Sequence, residues 1–529
     1  MKAAFKRRQN GAFMKYLLVA INAKYIHSNL AVYSLKAFAE KKGIPVELRE
    51  YTINQPKDYI LKDIYMQKPE AVFFSCYIWN IDYVESIVKN LNQVSPKLPI
   101  FLGGPEVSFD AREVLKRLPF LAGVMRGEGE ETFAGILQCD WNELVWGHVY
   151  GSIPVNMDDL PFVYENMNMD DLEHRIIYYE SSRGCPFSCS YCLSSVDKHL
   201  RFRSLDLVKK ELQFFIDHKV PQVKFVDRTF NCKKDHALAI WRYILEHDQG
   251  YTNFHFEVAA DLLTDEMLEV MAQMRPGLIQ LEIGVQSTNP ETLKAIRRTM
   301  KFEKVAELVD RIHSFKNIHQ HLDLIAGLPY EDYERFRQSF NEVYALGPNQ
   351  LQLGFLKVLK GSNMHQMAEY YECRYRKDAP YEVLSTQWIT FDELIKLKSE
   401  DKMVDIYYNS GQFITCLPYL VEAFETPFDF FLSLGAFYEK KGYEILSHSR
   451  IRRYDILLEF AEDCNAGYGG SISHIDTENL KKQMTIDLYL REKLKKAPVW
   501  AVDLTGEYTF DYEKRDPLSG NARMQTVTA

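Results

Sequence analysis

What most constrains the folding of this 529-residue chain is a repeated alternation of short apolar strand patterns with amphipathic helix patterns. Lys15–Ile21, Val46–Ile53, Ala71–Ile78, Leu98–Leu102 and Ala122–Met125 read as strands. Asn29–Lys42, Asp58–Gln67, Asp82–Gln93, Ser108–Leu118 and Glu130–Leu137 read as the helices that follow them. Ala71–Ile78 is almost wholly apolar, the pattern of a strand buried on both faces. Units of this kind predict an α/β fold over residues 14–140: an open, doubly wound parallel sheet whose ligands sit beyond the carboxyl ends of its strands.

Residues 141–175, with Pro154, Pro161 and several Asp and Asn, read as a linker. Six more strand patterns follow: Ile176–Ser182, Gln222–Phe230, Asn253–Ala260, Leu278–Gln286, His321–Ala326 and Leu351–Val358. Six βα units over residues 176–375 predict a partial (β/α)6 TIM-type barrel, with one side open and its working residues at the strands' carboxyl ends. Residues 376–513 read as a mainly helical domain that caps the barrel, and the aromatic-dense run Phe428–Tyr438 reads as its core. Met484–Lys496 fits a helix or a strand, and the polar tail 514–529 is expected to fray.

The net charge of −9 and the lack of a long basic run argue against electrostatic binding to nucleic acid or an anionic membrane. The apolar run Tyr16–Ile21 behind the basic N-terminus is too short for a signal segment, and Met14 reads as an alternative start. No stretch reaches the ~18 apolar residues that span a bilayer, so the cytoplasm is the expected location.

The chemistry is concentrated in Arg183-Gly184-Cys185-Pro-Phe-Ser-Cys189-Ser-Tyr191-Cys192. Three thiolates spaced Cys-x3-Cys-x2-Cys suit three corners of a [4Fe–4S] cluster, which usually has four cysteine ligands. Three leave one iron open to a substrate. Zinc wants four ligands, commonly in paired Cys-x2-Cys units, and only His199 lies nearby. Nine scattered cysteines without an even framework do not suggest a disulfide scaffold.

This cysteine run, with an aromatic before the third cysteine, resembles the signature of radical S-adenosylmethionine (SAM) enzymes. Its lead-in most resembles the branch with an N-terminal cobalamin-binding domain, and the first domain is similar to that flavodoxin-like domain. The strand ends there carry Asn22, Lys24 and His27, then Ser75, Cys76, Tyr77, Trp79 and Asn80. Gly103-Gly104-Pro105-Glu106 and Arg126-Gly127-Glu128-Gly129-Glu130 follow the fourth and fifth strands and match the branch's pattern. No phosphate-binding glycine motif is present, nor the Asp-x-His-x-x-Gly motif that ligates cobalt in other B12 enzymes. The resemblance implies cobalamin contacts from Asn22, His27, Ser75, Tyr77, Trp79, Gly103, Gly104, Pro105, Glu106, Gly127 and Glu128. Which residue, if any, would face the lower side of cobalt stays open, with Tyr77, Trp79 and Asn80 as the candidates.

In the barrel the resemblance implies SAM contacts from Tyr191, Asp227, Glu257, Gln286, Ser287 and Gly327. Asp227 would take the SAM amino group, and glycine at 327 would let adenine lie on the backbone. Asp261, Lys357 and Lys360 also stand at strand ends, and Cys232 is a candidate thiol or hydrogen-atom donor. The implied activity is reductive cleavage of SAM to a 5′-deoxyadenosyl radical, then methylation of an unactivated carbon through methylcobalamin. The substrate would be a small molecule or peptide, and the electrons would come from a low-potential flavodoxin- or ferredoxin-type donor. The alternatives are a B12-dependent cyclisation or rearrangement without methyl transfer, and a non-catalytic cobalamin or redox sensor. A tRNA methylthiotransferase usually needs a second cluster, and the first domain offers only Cys76 and Cys139.

Overall fold

The computed structural model describes residues 15–151, 153–467, 472–494, 496–516 and 518–527. Met14 lies outside them. The chain divides into two compact units: one holds residues through Phe256 with Lys357–Met367 and Tyr375–Glu382, the other Glu257–Leu356, Ala368–Arg374 and Val383 onward.

The first unit begins with six parallel strands: β1 (Tyr16–Asn22), β2 (Val46–Thr52), β3 (Ala71–Ser75), β4 (Ile100–Gly103), β5 (Gly123–Met125) and β6 (His148–Tyr150). Their spatial order is β2-β1-β3-β4-β5-β6. Every residue of β1 and β3 is buried, as their unbroken apolar sequences require. One face packs Leu17, Val19, Ile21, Val72 and Phe74 against Val84, Ile87, Val88 and Leu91 of the helix Ile81–Val94. The order reverses at β1, which places the ligand crevice beyond β1 and β3. β6 lies in the segment read as linker, so the sheet has one strand more than the sequence pattern predicts.

The same unit continues with β7 (Ile177–Tyr179), the short ribbon β8 (Ser182–Arg183) and β9 (Arg201–Phe202), then β10 (Gln222–Phe225) and β11 (Asn253–Val258), whose last two residues are assigned to the second unit. β10 pairs in parallel with β7 and with β11. β8 and β9 pair antiparallel, Ser182 opposite Phe202 and Arg183 opposite Arg201, so the segment between them is a closed loop.

The second unit carries β12 (Ile279–Gln286), β13 (His319–Ala326) and β14 (Gln350–Phe355), parallel and in that order. Along β12, Ile279, Leu281, Ile283 and Val285 are buried while Gln280, Glu282, Gly284 and Gln286 are half-buried, the period of two that separates a strand's faces. Helices Phe391–Met403, Cys416–Val421, Pro427–Lys441, Arg450–Asn465 and Thr477–Arg491 follow. Phe428, Phe430, Phe431, Phe437 and Tyr438 are buried, as expected of a core. Met484–Lys496 resolves largely as helix. The tail is a correction: Tyr508–Arg515 pairs antiparallel with Ala522–Thr526, with Phe510 against Leu490 and Leu504, although Pro517 and residues 528–529 lie outside the described residues. Among the described residues no helix is long and apolar enough to cross a membrane.

Candidate functional site

A cavity of about 1350 Å³ opens beyond β1, β3, β4 and β5 of the first unit, above the range of ordinary small-ligand pockets. Its wall includes Asn22, His27, Ser75, Tyr77, Trp79, Gly103, Gly104, Pro105, Gly127 and Glu128, ten of the eleven residues expected to contact cobalamin. Leu193, Val196, Asp197 and His199 of the cysteine loop line the same cavity. Ser75 Oγ is buried without a hydrogen-bond partner, a polar group left for a ligand. Tyr77 and Trp79 stack with ring centroids 4.3 Å apart, and the indole N–H donates to the Ile21 carbonyl. The result is a flat aromatic wall suited to a macrocycle.

His27 Nδ1 lies 2.8 Å from the Tyr178 hydroxyl. Burial, then the charges of Lys24 and Lys224, lowers the imidazole pKa and favours the neutral ring. The glycines serve the fold as well as the cavity. A Cβ on Gly104, whose φ is +106°, would sit 2.5 Å from the Cys76 carbonyl oxygen.

Two expectations here are corrected. Glu106 does not line the cavity; its carboxylate accepts from the Tyr381 hydroxyl and from Lys360, whose ammonium also pairs with Asp110 at 2.9 Å. Asn80 is fully buried and committed: its amide donates to the carbonyls of Ile21 and Ser75, and its oxygen accepts from the Tyr77 amide. It is not available to cobalt.

The cysteine loop hangs from the β8–β9 ribbon. Gly184 has φ +97°, and a Cβ there would lie 2.5 Å from the His199 carbonyl oxygen, so only glycine fits. Cys185 N–H donates to Asp197 O and Cys192 N–H to Cys189 O, which turns the chain back on itself between the thiols. None of the three is in a disulfide; Cys185 and Cys189 are buried and Cys192 half-buried. The three thiols share one constrained loop, though among the described residues no three His, Cys, Asp or Glu side chains are already gathered around a metal position. Cys232, beyond β10, is pushed up to about 11 by burial, with the charges of Asp227 and Cys185 adding to it, so it is a neutral thiol at ordinary pH.

Asp227 is fully buried and accepts from the Ser181 amide at 2.9 Å, the Ser181 hydroxyl at 2.7 Å and the Ser182 hydroxyl at 2.5 Å. Burial raises its pKa to about 6 against the lowering effect of those bonds. It anchors the approach to the cysteine loop. Tyr191 stands half-buried within the loop itself.

In the second unit Gln286 has φ +72°, rare for a non-glycine, at a register shift in β12, and its Oε1 is buried without a partner. Such a strained, unsatisfied amide suits ligand contact. Ser287 does not: it is fully buried, donating to Glu331 at 2.6 Å and accepting from the Asn289 amide. Burial pushes Glu331 up to about 7. A Cβ on Gly327 would lie 2.7 Å from Val383 Cγ1, so packing already requires glycine there. Glu257 is half-buried on β11. Sequence reasoning missed Glu331 and the pairing of Glu106 with Tyr381 and of Asp227 with Ser181 and Ser182, because nothing in the spacing along the chain joins those residues.

Comparison with known proteins agrees with this layout. A model of the B12 binding domain matches residues 16–137, one of the Radical SAM superfamily matches 179–343, and one described as a protein of unknown function (DUF4080) matches 369–522. The chain is 26% identical over 316 residues to the cobalamin-dependent radical SAM methyltransferase TokK of Streptomyces tokunonensis, covering 53% of this chain and 45% of that one. It is 24% identical over 345 residues to the hopanoid C-3 methylase of Methylococcus capsulatus, covering 61% and 64%. The chain thus spans about half the length of the first of these relatives. Among solved structures, the cobalamin-dependent SAM radical enzyme OxsB superposes with TM-score 0.61 at 15% identity, covering 90% of this chain and 79% of that one. The methyltransferase TsrM of Kitasatospora setae superposes with TM-score 0.57 at 16% identity, covering 70% and 80%. These two structures share the fold. By these matches the chain carries a B12 binding domain over residues 16–137, followed by a Radical SAM superfamily domain over 179–343.

Proposed function

We propose that the protein is a cobalamin-dependent radical SAM methyltransferase that methylates an unactivated carbon of a small molecule or peptide. It would work in the cytoplasm with a low-potential flavodoxin- or ferredoxin-type donor. One observation carries the reading: the strand ends of the B12-binding domain and the cysteine loop line a single large cavity within one compact unit. Two cofactors housed this way can pass a group between them. The named relatives, both methylating enzymes by their descriptions, support the choice of methyl transfer.

When bound, a [4Fe–4S] cluster, SAM and cobalamin supply reductive sulfonium cleavage and a transferable methyl group. The chain's own residues do the rest. Cys185, Cys189 and Cys192 would hold the cluster. Asp227 fixes Ser181 and Ser182 at the start of the loop, while Gln286 presents an unsatisfied amide oxygen to a ligand. Tyr77 and Trp79 present a flat apolar wall, and His27 keeps a neutral ring in the cavity wall.

The test is anaerobic purification with hydroxocobalamin and cluster reconstitution, with assays of iron, sulfide, bound cobalamin and 5′-deoxyadenosine. The expected result is about four irons and one cobalamin per chain, with SAM cleavage lost in Cys189→Ala. Iron without cobalamin would remove the methyl-transfer mechanism. Zinc without cleavage would remove the whole reading. A product whose mass rises by one CH2 separates methylation from cyclisation or rearrangement.

A further inference from the structure

Glu128, expected to touch the corrinoid, lines the cavity with its carboxylate bonded to two arginines of the same wall. Its Oε2 accepts from Arg183 Nη1 at 3.0 Å and from Arg201 Nη1 at 2.9 Å, and its Oε1 accepts from Arg201 Nη2. These two arginines are not arbitrary partners. Arg183 and Arg201 are the directly opposed pair of the β8–β9 ribbon, the neck through which the cysteine loop leaves and rejoins the fold. Like charges directly opposite across a strand pair repel. Both guanidiniums are only about one-fifth exposed, where water screens them weakly.

Other acids help. Glu180 and Glu130 also hold Arg183, at 2.8 and 2.9 Å, and Asp197 holds Arg201 at 3.1 Å. Glu128 is the carboxylate bonded to both. Its own position is set by the loop after β5: Gly127 has φ +76° and its amide donates to Ser108 Oγ, and Glu128 Oε2 also accepts from the Val155 amide. Burial alone would raise the Glu128 pKa, but Arg201 and Arg183 outweigh it and keep the group ionised.

We propose that Glu128 is a positioning residue for the cysteine loop, closing its neck by neutralising the facing arginines Arg183 and Arg201. The same loop lines the large cavity, so the B12-binding domain holds the cysteine loop in shape through Glu128, with Glu130 beside it on Arg183. This inference rests on the proposed function for the identity of the cluster, but the neck itself does not.

The test reads the neck in the full-length protein before any cluster is loaded. Alkylation of Cys185, Cys189 and Cys192 by iodoacetamide is followed by peptide mass spectrometry, with Cys139 as the internal reference. Glu128→Gln is expected to speed labelling of the three loop thiols about tenfold, leaving Cys139 unchanged. Removing the opposing charge as well, in Glu128→Gln/Arg201→Gln, is expected to bring the rate most of the way back. A lost packing contact would not be rescued by a second deletion. Wild-type labelling in Glu128→Gln, or a double variant as fast as the single, would overturn the proposal. If the single variant is insoluble, a soluble double variant is the same rescue, and two insoluble variants count against it. Reconstitution is read separately: Glu128→Gln is expected to hold less iron than wild type, whereas a wild type that takes up no cluster ends the functional reading and leaves the neck result standing.

Discussion

Asp227 grips Ser181 twice, accepting from its backbone amide at 2.9 Å and from its hydroxyl at 2.7 Å. A residue with the profile of a cofactor ligand is thus a hinge pin for the chain that leads into the cysteine loop. Removing it leaves the buried Ser181 amide and the Ser182 hydroxyl without this acceptor, with only His236 Nε2, 3.2 Å away, left for the Ser181 hydroxyl. Asp227→Ala is expected to cost about 2–4 kcal/mol in denaturant unfolding and to speed hydrogen exchange at Ser181. Unchanged exchange there would mean that Asp227 does not anchor the chain at that point.

Glu331 gives a pH signature in the second unit. Its carboxyl titrates near 7 in the fold, raised by burial from the model-peptide 4.5. The folded state therefore takes up the proton more readily than the unfolded one, so this group's contribution to stability is fullest below about pH 4.5 and falls as the pH rises through 7. Glu331→Gln keeps an acceptor for Ser287 and Ser339 but carries no charge. The variant is expected to lose that decline, a difference on the order of 2–3 kcal/mol between pH 5 and 8 by chemical denaturation. Parallel pH profiles for the two proteins would contradict it.

Gly184 precedes the first thiol in a left-handed conformation with the His199 carbonyl in its path. Gly184→Ala is expected to leave far-UV circular dichroism intact while cutting reconstituted iron per chain by more than half. The measurement is iron and sulfide content against wild type; full loading would mean that the loop tolerates a shift at its neck.

Tyr381 donates to Glu106, and burial raises the Glu106 pKa despite that bond and the nearby Lys360. Tyr381→Phe is expected to cost about 1–2 kcal/mol in unfolding free energy, with cobalamin affinity by absorbance titration unchanged. A marked loss of affinity would show that Glu106 serves the cavity after all.

The particular successes and failures of sequence reading share one cause. The cysteine loop was legible because its chemistry is local: the three thiols and Gly184 lie within a single short run. The doubly wound sheet was legible because β1 and β3 are unbroken apolar runs. β6 was not. It is three residues long, begins with an exposed His148, and pairs with β5 because Gly123 lacks a Cβ; one there would lie 2.5 Å from the Tyr150 ring. Glu106, Asp227, Glu128 and Ser287 have residue types that suit ligands, but their partners are distant in the chain; Tyr381 lies 275 positions beyond Glu106. Spacing along a sequence carries no trace of such a partner. A buried carboxylate held by structure and one held for a substrate look alike until the fold is known.

The division of the chain has a practical consequence. Past Leu356 the backbone passes to the first unit for Lys357–Met367, to the second for Ala368–Arg374, back to the first for Tyr375–Glu382, and to the second again from Val383. No single cut releases either unit whole. Truncation near residue 375, where the barrel was expected to end, would strip Tyr381 from Glu106 in one unit and Val383 from Gly327 in the other. The C-terminal region is woven into its neighbours rather than appended to them, and exchanging it for another would mean transplanting both stitches with it.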